Sequence, residues 1–180
     1  MSKSVWIFGY GSLIWRPDFA YLRKEVASLA GYTRRFWQGS HDHRGTPDAP
    51  GRVVTLIEDP QASCLGVAYL LDQETVTATF EQLDYREKNG YERLEVSLTL
   101  QPGETVPALV YIATPGNFAY LGPAADDDIA RQIAVSTGPS GRNIDYLTEL
   151  AASLKAIGAH DPHVFELAAK ASLHNPQRSR

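Results

Sequence analysis

The sequence of 180 residues has a single cysteine and a single methionine, and positive charge is not in excess. One cysteine, Cys64, excludes an intramolecular disulfide and a zinc site built from several cysteines. Cys64 lies in an apolar stretch and is expected to pack as a small hydrophobic residue; a role as nucleophile is the alternative. The net charge of −4 argues against a nucleic-acid partner.

Long apolar runs are also missing from the sequence. No stretch has the length of a transmembrane helix, and the first residues do not have the apolar core and cleavage site of a signal peptide. We therefore expect a cytoplasmic protein that does not bind membranes. As to its assembly, we expect a monomer or a weak homodimer.

The composition itself is that of an ordinary globular protein, with 43% hydrophobic and 21% charged residues. Segments typical of strands dominate the first two thirds, and helical segments dominate the last third, which predicts an α+β protein. We expect a single domain over residues 1–180. It would have a core over about 5–158, a helical segment over about 159–174 and a disordered tail over 175–180.

The hydrophobic pattern predicts six strands and four helices. The strands are expected over 5–8, 25–38, 52–57, 64–71, 91–100 and 106–113, and the helices over 74–86, 126–135, 143–157 and 162–173. Gly31 predicts a bend in the second strand. Asp59-Pro60 is typical of a turn and predicts a hairpin between the third and fourth strands.

The first strand leads into Gly9-Tyr10-Gly11-Ser12, which contains two glycines and a hydroxyl. Because Gly11 has no Cβ, consecutive backbone N–H groups can converge here on one bound anion. The side chains of Tyr10 and Leu13 would line the same pocket. The alternative is a strand that ends in a tight turn, with its aromatic side chains in the core.

Glu87 directly follows the helix predicted over 74–86 and precedes an Asn89-Gly90 turn. A carboxylate at such a helix end can project into a pocket, where partial burial would suit it to proton transfer. The alternative is a solvated helix end. Asn143 is the expected N-cap of the next long helix, and Tyr146 in its first turn either points its hydroxyl into a cleft or simply packs.

Three further motifs are incomplete. His41 and His43 are spaced as a ligand pair, but no third ligand accompanies them, so we expect no metal. Ser12 lacks the Gly-x-Ser-x-Gly context of a nucleophile elbow. Gly9-Tyr10-Gly11 lacks the third glycine and the following helix of a dinucleotide site, so we expect no cofactor.

Several motifs, taken in order, resemble the ChaC family of glutathione-specific γ-glutamylcyclotransferases. They are the residues Ile7 to Pro17, Gly31-Tyr32, Arg34 to Gly39, His43 to Gly45, Pro50 to Leu56, Gly66 to Tyr69, Arg86 to Tyr91, Tyr120 to Pro123, and Ser140 to Asn143 with Tyr146. The resemblance runs from about Val5 to about Leu150. One departure is Leu65, where the family carries a tryptophan, and this should alter packing more than chemistry.

The resemblance implies a mixed, largely antiparallel sheet curled into a small barrel with flanking helices. It implies that glutathione is cleaved to 5-oxoproline and cysteinylglycine by attack of its own amine, with Glu87 as general base and general acid. The expected substrate-binding residues are Ile7, Phe8, Gly9, Tyr10, Gly11, Ser12, Leu13, Tyr146 and Arg52. For the far carboxylate of glutathione, the candidates are Arg52, Arg34 and the loop from His41 to Arg44.

Two other functions stay open at this point. One is a cyclotransferase that acts on other γ-glutamyl amino acids or amines, because the sequence does not show how the cysteinylglycine end is held. The other is a non-catalytic regulator of cation transport, which would be indifferent to Glu87 and would expose a large apolar surface.

Overall fold

The computed structural model describes residues 4–88 and 90–179. Asn89 of the predicted turn and Arg180 of the predicted tail lie outside the described residues. The elements in chain order are β1 (Val5–Gly9), a 3-10 helix (Ser12–Ile14), β2 (Arg23–Ser40), β3 (Gly51–Leu71), α1 (Val76–Arg86), β4 (Tyr91–Leu100), β5 (Thr105–Ala113), α2 (Asp126–Val135), β6 (Thr137–Gly138), β7 (Gly141–Arg142), α3 (Asn143–Ala156), α4 (Pro162–Leu173) and a second 3-10 helix (Pro176–Ser179).

Five of the strands close into a barrel in the order β1-β3-β2-β4-β5. Antiparallel pairing joins β1 to β3, β2 to β4 and β4 to β5. The parallel pair of β1 and β5 closes the barrel and leaves its strands without an open edge. The predicted α+β class, with a mixed and largely antiparallel barrel, is confirmed.

The chain divides into two compact units. The first contains the described residues up to Thr33 together with Leu56–Phe118, and the second contains Arg34–Thr55 and the described residues from Ala119 onward. The long strands β2 and β3 contribute residues to both units. The single domain expected over residues 1–180 stays a prediction.

The core of the first unit fixes the position of α1. Buried side chains of β1 and β3 meet the buried face of this helix, and they form one cluster with Ile7, Leu13, Leu71, Val76, Leu83 and Tyr111. Burial of side chains such as Leu83 contributes about 1.5–3 kcal/mol each. The end of α1 that leads into Glu87 is thus anchored by apolar packing.

The second unit contains three helices that pack against one another, α2, α3 and α4. Their apolar faces are buried, with Ile129 and Ile133 on α2 and Leu147 and Leu150 on α3 among the fully buried side chains. Asp161 caps α4, because its side chain accepts a hydrogen bond from the Val164 N–H at 3.1 Å.

The predicted hairpin is wrong. Residues 52–57 and 64–71 belong to one continuous strand, β3. The signal for a turn came from Asp59-Pro60, but Pro60 lies at an exposed position, where a strand tolerates a missing N–H group.

The other differences are local. Gly31 has a φ of +85°, a left-handed backbone conformation that glycine adopts readily, within the continuous strand β2; the bend there stays a prediction. Helix α1 begins at Val76, two residues later than expected. Disorder was expected over 175–180, but Pro176–Ser179 forms a short 3-10 helix, so this prediction is wrong over those residues.

Candidate functional site

The turn after β1 is compact and reverses on itself. The Ile14 N–H donates to the Gly11 carbonyl at 3.0 Å, and the Arg16 N–H donates to the Ser12 carbonyl at 2.8 Å. A Cβ on Gly9 would lie 2.9 Å from the Cβ of Leu13, so glycine is needed here for the close approach. These two hydrogen bonds do not use the N–H groups of Gly11 and Ser12.

Most side chains of the predicted binding stretch lie in the core of the first unit. Ile7, Phe8 and Leu13 are buried, and so is Tyr10. The Tyr10 hydroxyl donates to the Tyr111 carbonyl at 2.5 Å. A ligand at this turn would therefore meet mainly main-chain groups and the Ser12 hydroxyl.

Arg86, the last residue of α1, connects that helix to the turn. Its Nη2 donates to the Ser12 Oγ at 2.8 Å, and its Nη1 donates to the Arg16 carbonyl at 2.9 Å and to the Pro17 carbonyl at 3.5 Å. The Asp18 carboxylate lies 3.8 Å from Nη1, and the Arg86 side chain is 17% exposed. No local pattern in the sequence predicts these contacts of Arg86.

Glu87 directly follows Arg86 and forms the C-cap of α1. It is half-buried. Its N–H donates to the Leu83 carbonyl at 2.8 Å, which holds the Glu87 backbone to the last turn of the helix. The structure therefore brings Ser12 and the end of α1 together through Arg86. The catalytic role of Glu87 stays a prediction.

A second contact connects α1 to the barrel through Asp84, two residues before Arg86. The Tyr111 hydroxyl of β5 donates to the Asp84 carboxylate at 2.5 Å. Burial, followed by the neighbouring Asp84 carboxylate, raises the pKa of Tyr111 above its usual range. Because Tyr10 donates to the carbonyl of the same Tyr111, one residue of β5 contacts both α1 and the turn.

Tyr146 lies in the second unit, in the first turn of α3 as predicted. Its buried hydroxyl oxygen accepts a hydrogen bond from the Val54 N–H at 3.3 Å. The ring packs edge-on against Phe36, with centroids 5.9 Å apart, and the Arg44 guanidinium lies 5.8 Å from its centroid. Its role toward a substrate stays a prediction.

Arg52 is also in the second unit, and its side chain is directed to internal acceptors. Nε donates to the Gln132 Oε1 at 2.7 Å, and Nη1 donates to the carbonyls of Phe36 and Gly122 at 2.9 and 3.0 Å. Burial lowers the pKa of Arg52. The predicted contact of Arg52 with a substrate carboxylate stays a prediction.

Asn143 is buried and does not act as the predicted N-cap, because the cap position of α3 belongs to Arg142. The Asn143 side chain instead accepts from the Arg52 N–H and donates to the Arg52 carbonyl, both at 2.8 Å. A side-chain amide that pairs with a strand residue in both directions satisfies two buried main-chain groups at once.

The His41-His43 pair gains no further ligand in the structure. Over residues 4–88 and 90–179, no group of three or more His, Cys, Asp or Glu side chains is arranged to hold a metal ion. The His43 Nδ1 lies 3.1 Å from the Ser140 Oγ instead. Cys64 is buried, as expected for a packing residue. Among the described helices, none has the length and apolar character needed to span a membrane.

Comparison with known proteins gives relatives that match most of the chain. The family model described as ChaC-like protein matches residues 5–173. Glutathione-specific γ-glutamylcyclotransferase 1 of Homo sapiens is 47% identical over 168 residues, which cover 90% of this chain and 76% of the human protein. The protein of the same name in Danio rerio is 47% identical over 175 residues, which cover 93% and 88% of the two chains.

A solved structure has the same fold. It is the crystal structure of a yeast γ-glutamylcyclotransferase specific to glutathione, and it superimposes with a TM-score of 0.91 at 31% identity. The match covers 98% of this chain and 99% of the yeast chain. The chain therefore has the same fold as the yeast protein.

Proposed function

Because the chain belongs to the ChaC-like family, we propose that it is a γ-glutamylcyclotransferase specific to glutathione. The observation that carries this proposal is the Arg86 contact, which holds the turn after β1 beside the helix end that bears Glu87. The turn offers main-chain and hydroxyl donors for an anionic group, and the helix end offers a carboxylate for proton transfer. A γ-glutamyl substrate needs both.

The proposed reaction forms one bond and breaks one bond. The α-amine nitrogen of glutathione attacks its own γ-carbonyl carbon and closes a five-membered ring. The amide bond from that carbon to the cysteine nitrogen then breaks, and a proton passes from the attacking nitrogen to the departing one. The products are 5-oxoproline and cysteinylglycine, and water is not consumed.

The glutamyl end of the substrate would be held by the turn at Gly9–Leu13. Its α-carboxylate suits the N–H groups of Gly11 and Ser12, because consecutive N–H groups in a tight turn form an anion-binding concavity. The Ser12 hydroxyl adds one more donor. In this role Ser12 binds the substrate and is not a nucleophile.

Glu87 would carry the proton in both directions. A substrate α-amine has a pKa of about 8, so much of it is protonated near neutrality and must lose a proton before it attacks. That first proton leaves to solvent. As the free amine attacks, Glu87 accepts a second proton from its nitrogen as general base and returns this proton to the cysteine nitrogen as general acid. Because attack is intramolecular, holding the amine over the carbonyl supplies a large part of the acceleration.

The tetrahedral intermediate carries a negative oxygen that needs hydrogen-bond donors. Preorganised donors at such a position contribute about 3–4 kcal/mol of transition-state stabilisation. The main-chain N–H groups of the Gly9–Leu13 turn are the proposed donors.

The proposal is tested by incubating the purified protein with glutathione or with γ-glutamyl-alanine and measuring 5-oxoproline. We expect kcat/KM for glutathione to exceed that for γ-glutamyl-alanine by at least about a hundredfold, since two or more lost hydrogen bonds separate the two substrates. Similar values would favour the broader cyclotransferase. The release of no 5-oxoproline from either compound would leave the non-catalytic function.

A further inference from the structure

We infer that Arg86 is a positioning residue of this site, which sets the direction of the Ser12 hydroxyl toward the substrate carboxylate and fixes the turn against α1. The inference rests on the proposed function. It adds a cation to a site that otherwise consists of main-chain groups, Ser12 and Glu87.

The Arg86–Ser12 contact has only one possible direction of hydrogen bonding. A guanidinium has only donors, so in the 2.8 Å bond between Nη2 and Oγ the Ser12 oxygen must accept. The hydroxyl proton of Ser12 therefore points away from Arg86. It is available to an acceptor on another side, and an α-carboxylate is such an acceptor.

Arg86 contacts both residues, Ser12 and Arg16, whose main-chain hydrogen bond closes the turn. The Arg16 N–H donates to the Ser12 carbonyl at 2.8 Å, and Arg86 donates at the same time to the Ser12 Oγ and the Arg16 carbonyl. The planar guanidinium holds its two donor nitrogens in a fixed fork that spans these acceptors, whereas a lysine has all its donors on one nitrogen.

The charge of Arg86 also bears on substrate binding. Arg86 brings one positive charge next to a hydroxyl that faces the proposed carboxylate site, and a hydrogen bond assisted by a charge is stronger than a neutral one. The Asp18 carboxylate, 3.8 Å from Nη1, offsets part of this charge. Asp18 is 55% exposed, so water weakens its attraction to Arg86.

Arg86 and Glu87 are consecutive residues at the end of α1, which is anchored through Leu83 in the core. Because the same helix end carries the cation and the proposed proton carrier, it fixes the distance between the carboxylate-binding turn and the base. Loss of Arg86 should therefore weaken substrate binding more than it slows the bond-forming step.

The test uses four variants of the full chain: Arg86→Met, Arg86→Lys, Ser12→Ala and the double variant Arg86→Met/Ser12→Ala. We expect Arg86→Met to raise KM for glutathione about tenfold and to lower kcat less than about threefold. Arg86→Lys should restore only part of the loss. In the Ser12→Ala background, Arg86→Met should raise KM by less than about threefold further, because the two residues act through one hydrogen bond.

Arg93→Met is the matched control. Arg93 also pairs with α1, through Asp84 at 3.5 Å, and packs over the Phe80 ring, and neither of these contacts involves the turn after β1. This variant should leave KM within about twofold of the wild type. Thermal unfolding of every variant shows which of them remain folded.

Calorimetric binding of 5-oxoproline separates failure of this inference from failure of the proposed function. A wild type that binds 5-oxoproline in an Arg86-dependent way but does not turn over glutathione would disprove the function alone. An unchanged KM in Arg86→Met, or the same tenfold loss with and without Ser12, would overturn the inference alone. A wild type that neither binds nor turns over would overturn both.

Discussion

Each of the two units contains an arginine that donates to several oxygen atoms, and the two arginines differ in their partners and in their exposure. Arg86 in the first unit binds a serine hydroxyl and turn carbonyls, and its side chain keeps 17% of its surface exposed. Arg52 in the second unit is buried and binds Gln132 and the carbonyls of Phe36 and Gly122.

The two arginines differ in whether their charge stays accessible to a ligand. A buried cation surrounded by neutral acceptors is costly to desolvate, so its contacts must all be present for the fold to be stable. A cation at the edge of a turn keeps access to an incoming anion. We therefore expect variants of Arg86 to change catalysis, and variants of Arg52 to change the free energy of unfolding.

The largest effect is expected from Glu87→Gln in the first unit. This change keeps the shape of the side chain but removes the base, so kcat should fall about a thousandfold. Turnover of glutathione, measured as 5-oxoproline release, checks this. Glu81→Gln, an exposed position on the same helix, is the control and should be unaffected. A folded Glu87→Gln protein that turns over at the wild-type rate would remove Glu87 from the mechanism.

The next largest effect is expected from Arg52→Met in the second unit. It leaves two carbonyls and Gln132 without their donor, so the free energy of unfolding should fall by about 3 kcal/mol. Urea denaturation measures the change. Arg131→Met removes an exposed ion pair with Asp128 and should cost less than about 1 kcal/mol. Equal effects of the two changes would contradict a structural role for Arg52.

A third test uses pH in the second unit. The His163 Nε2 accepts the Phe36 N–H at 3.0 Å. Burial, followed by the nearby Arg35 charge, lowers the pKa of His163 to about 4. Below pH 6.5 His163 binds a proton in the unfolded chain but stays neutral in the folded chain. The free energy of unfolding should therefore fall by about 2 kcal/mol between pH 7 and pH 4.5.

His163→Gln keeps an acceptor for the Phe36 N–H but does not titrate in this range. The difference in unfolding free energy between the wild type and this variant should therefore shrink as the pH is lowered from 7 to 4.5. A difference that does not change with pH would show that His163 is protonated in the folded chain.

The smallest effect is expected from Tyr146→Phe. Loss of the hydroxyl that accepts the Val54 N–H should lower the free energy of unfolding by about 1 kcal/mol. Loss of the substrate-binding role predicted for Tyr146 would lower kcat as well. Steady-state kinetics of the folded variant checks this, and an unchanged kcat would leave Tyr146 as a packing residue.

Much of the fold could be predicted because its signals are local. The alternating residues of β4 gave the bounds Tyr91–Leu100, and the acidic start and apolar face of α2 gave Asp126–Val135; both agree with the structure. The prediction failed where a local signal met a long-range constraint. Asp59-Pro60 reads as a turn, yet the strand continues through it within the closed barrel.

The candidate site could be predicted only in part. The turn at Gly9–Ser12 and the helix end at Glu87 each have a local pattern, whereas the Arg86–Ser12 contact joins residues 74 positions apart. No spacing rule relates them. Likewise, Asn143 looks like an N-cap in sequence, but a strand residue 91 positions away, Arg52, takes both hydrogen bonds of its amide.

The most direct test of the account is the fate of solvent oxygen. The protein is incubated with glutathione in water enriched in ¹⁸O, and the products are analysed by mass spectrometry. Attack by the substrate's own amine predicts 5-oxoproline and cysteinylglycine in equal amounts, neither of them labelled. Glutamate that carries one ¹⁸O atom would show that water attacks the γ-carbonyl, and this result would contradict the account.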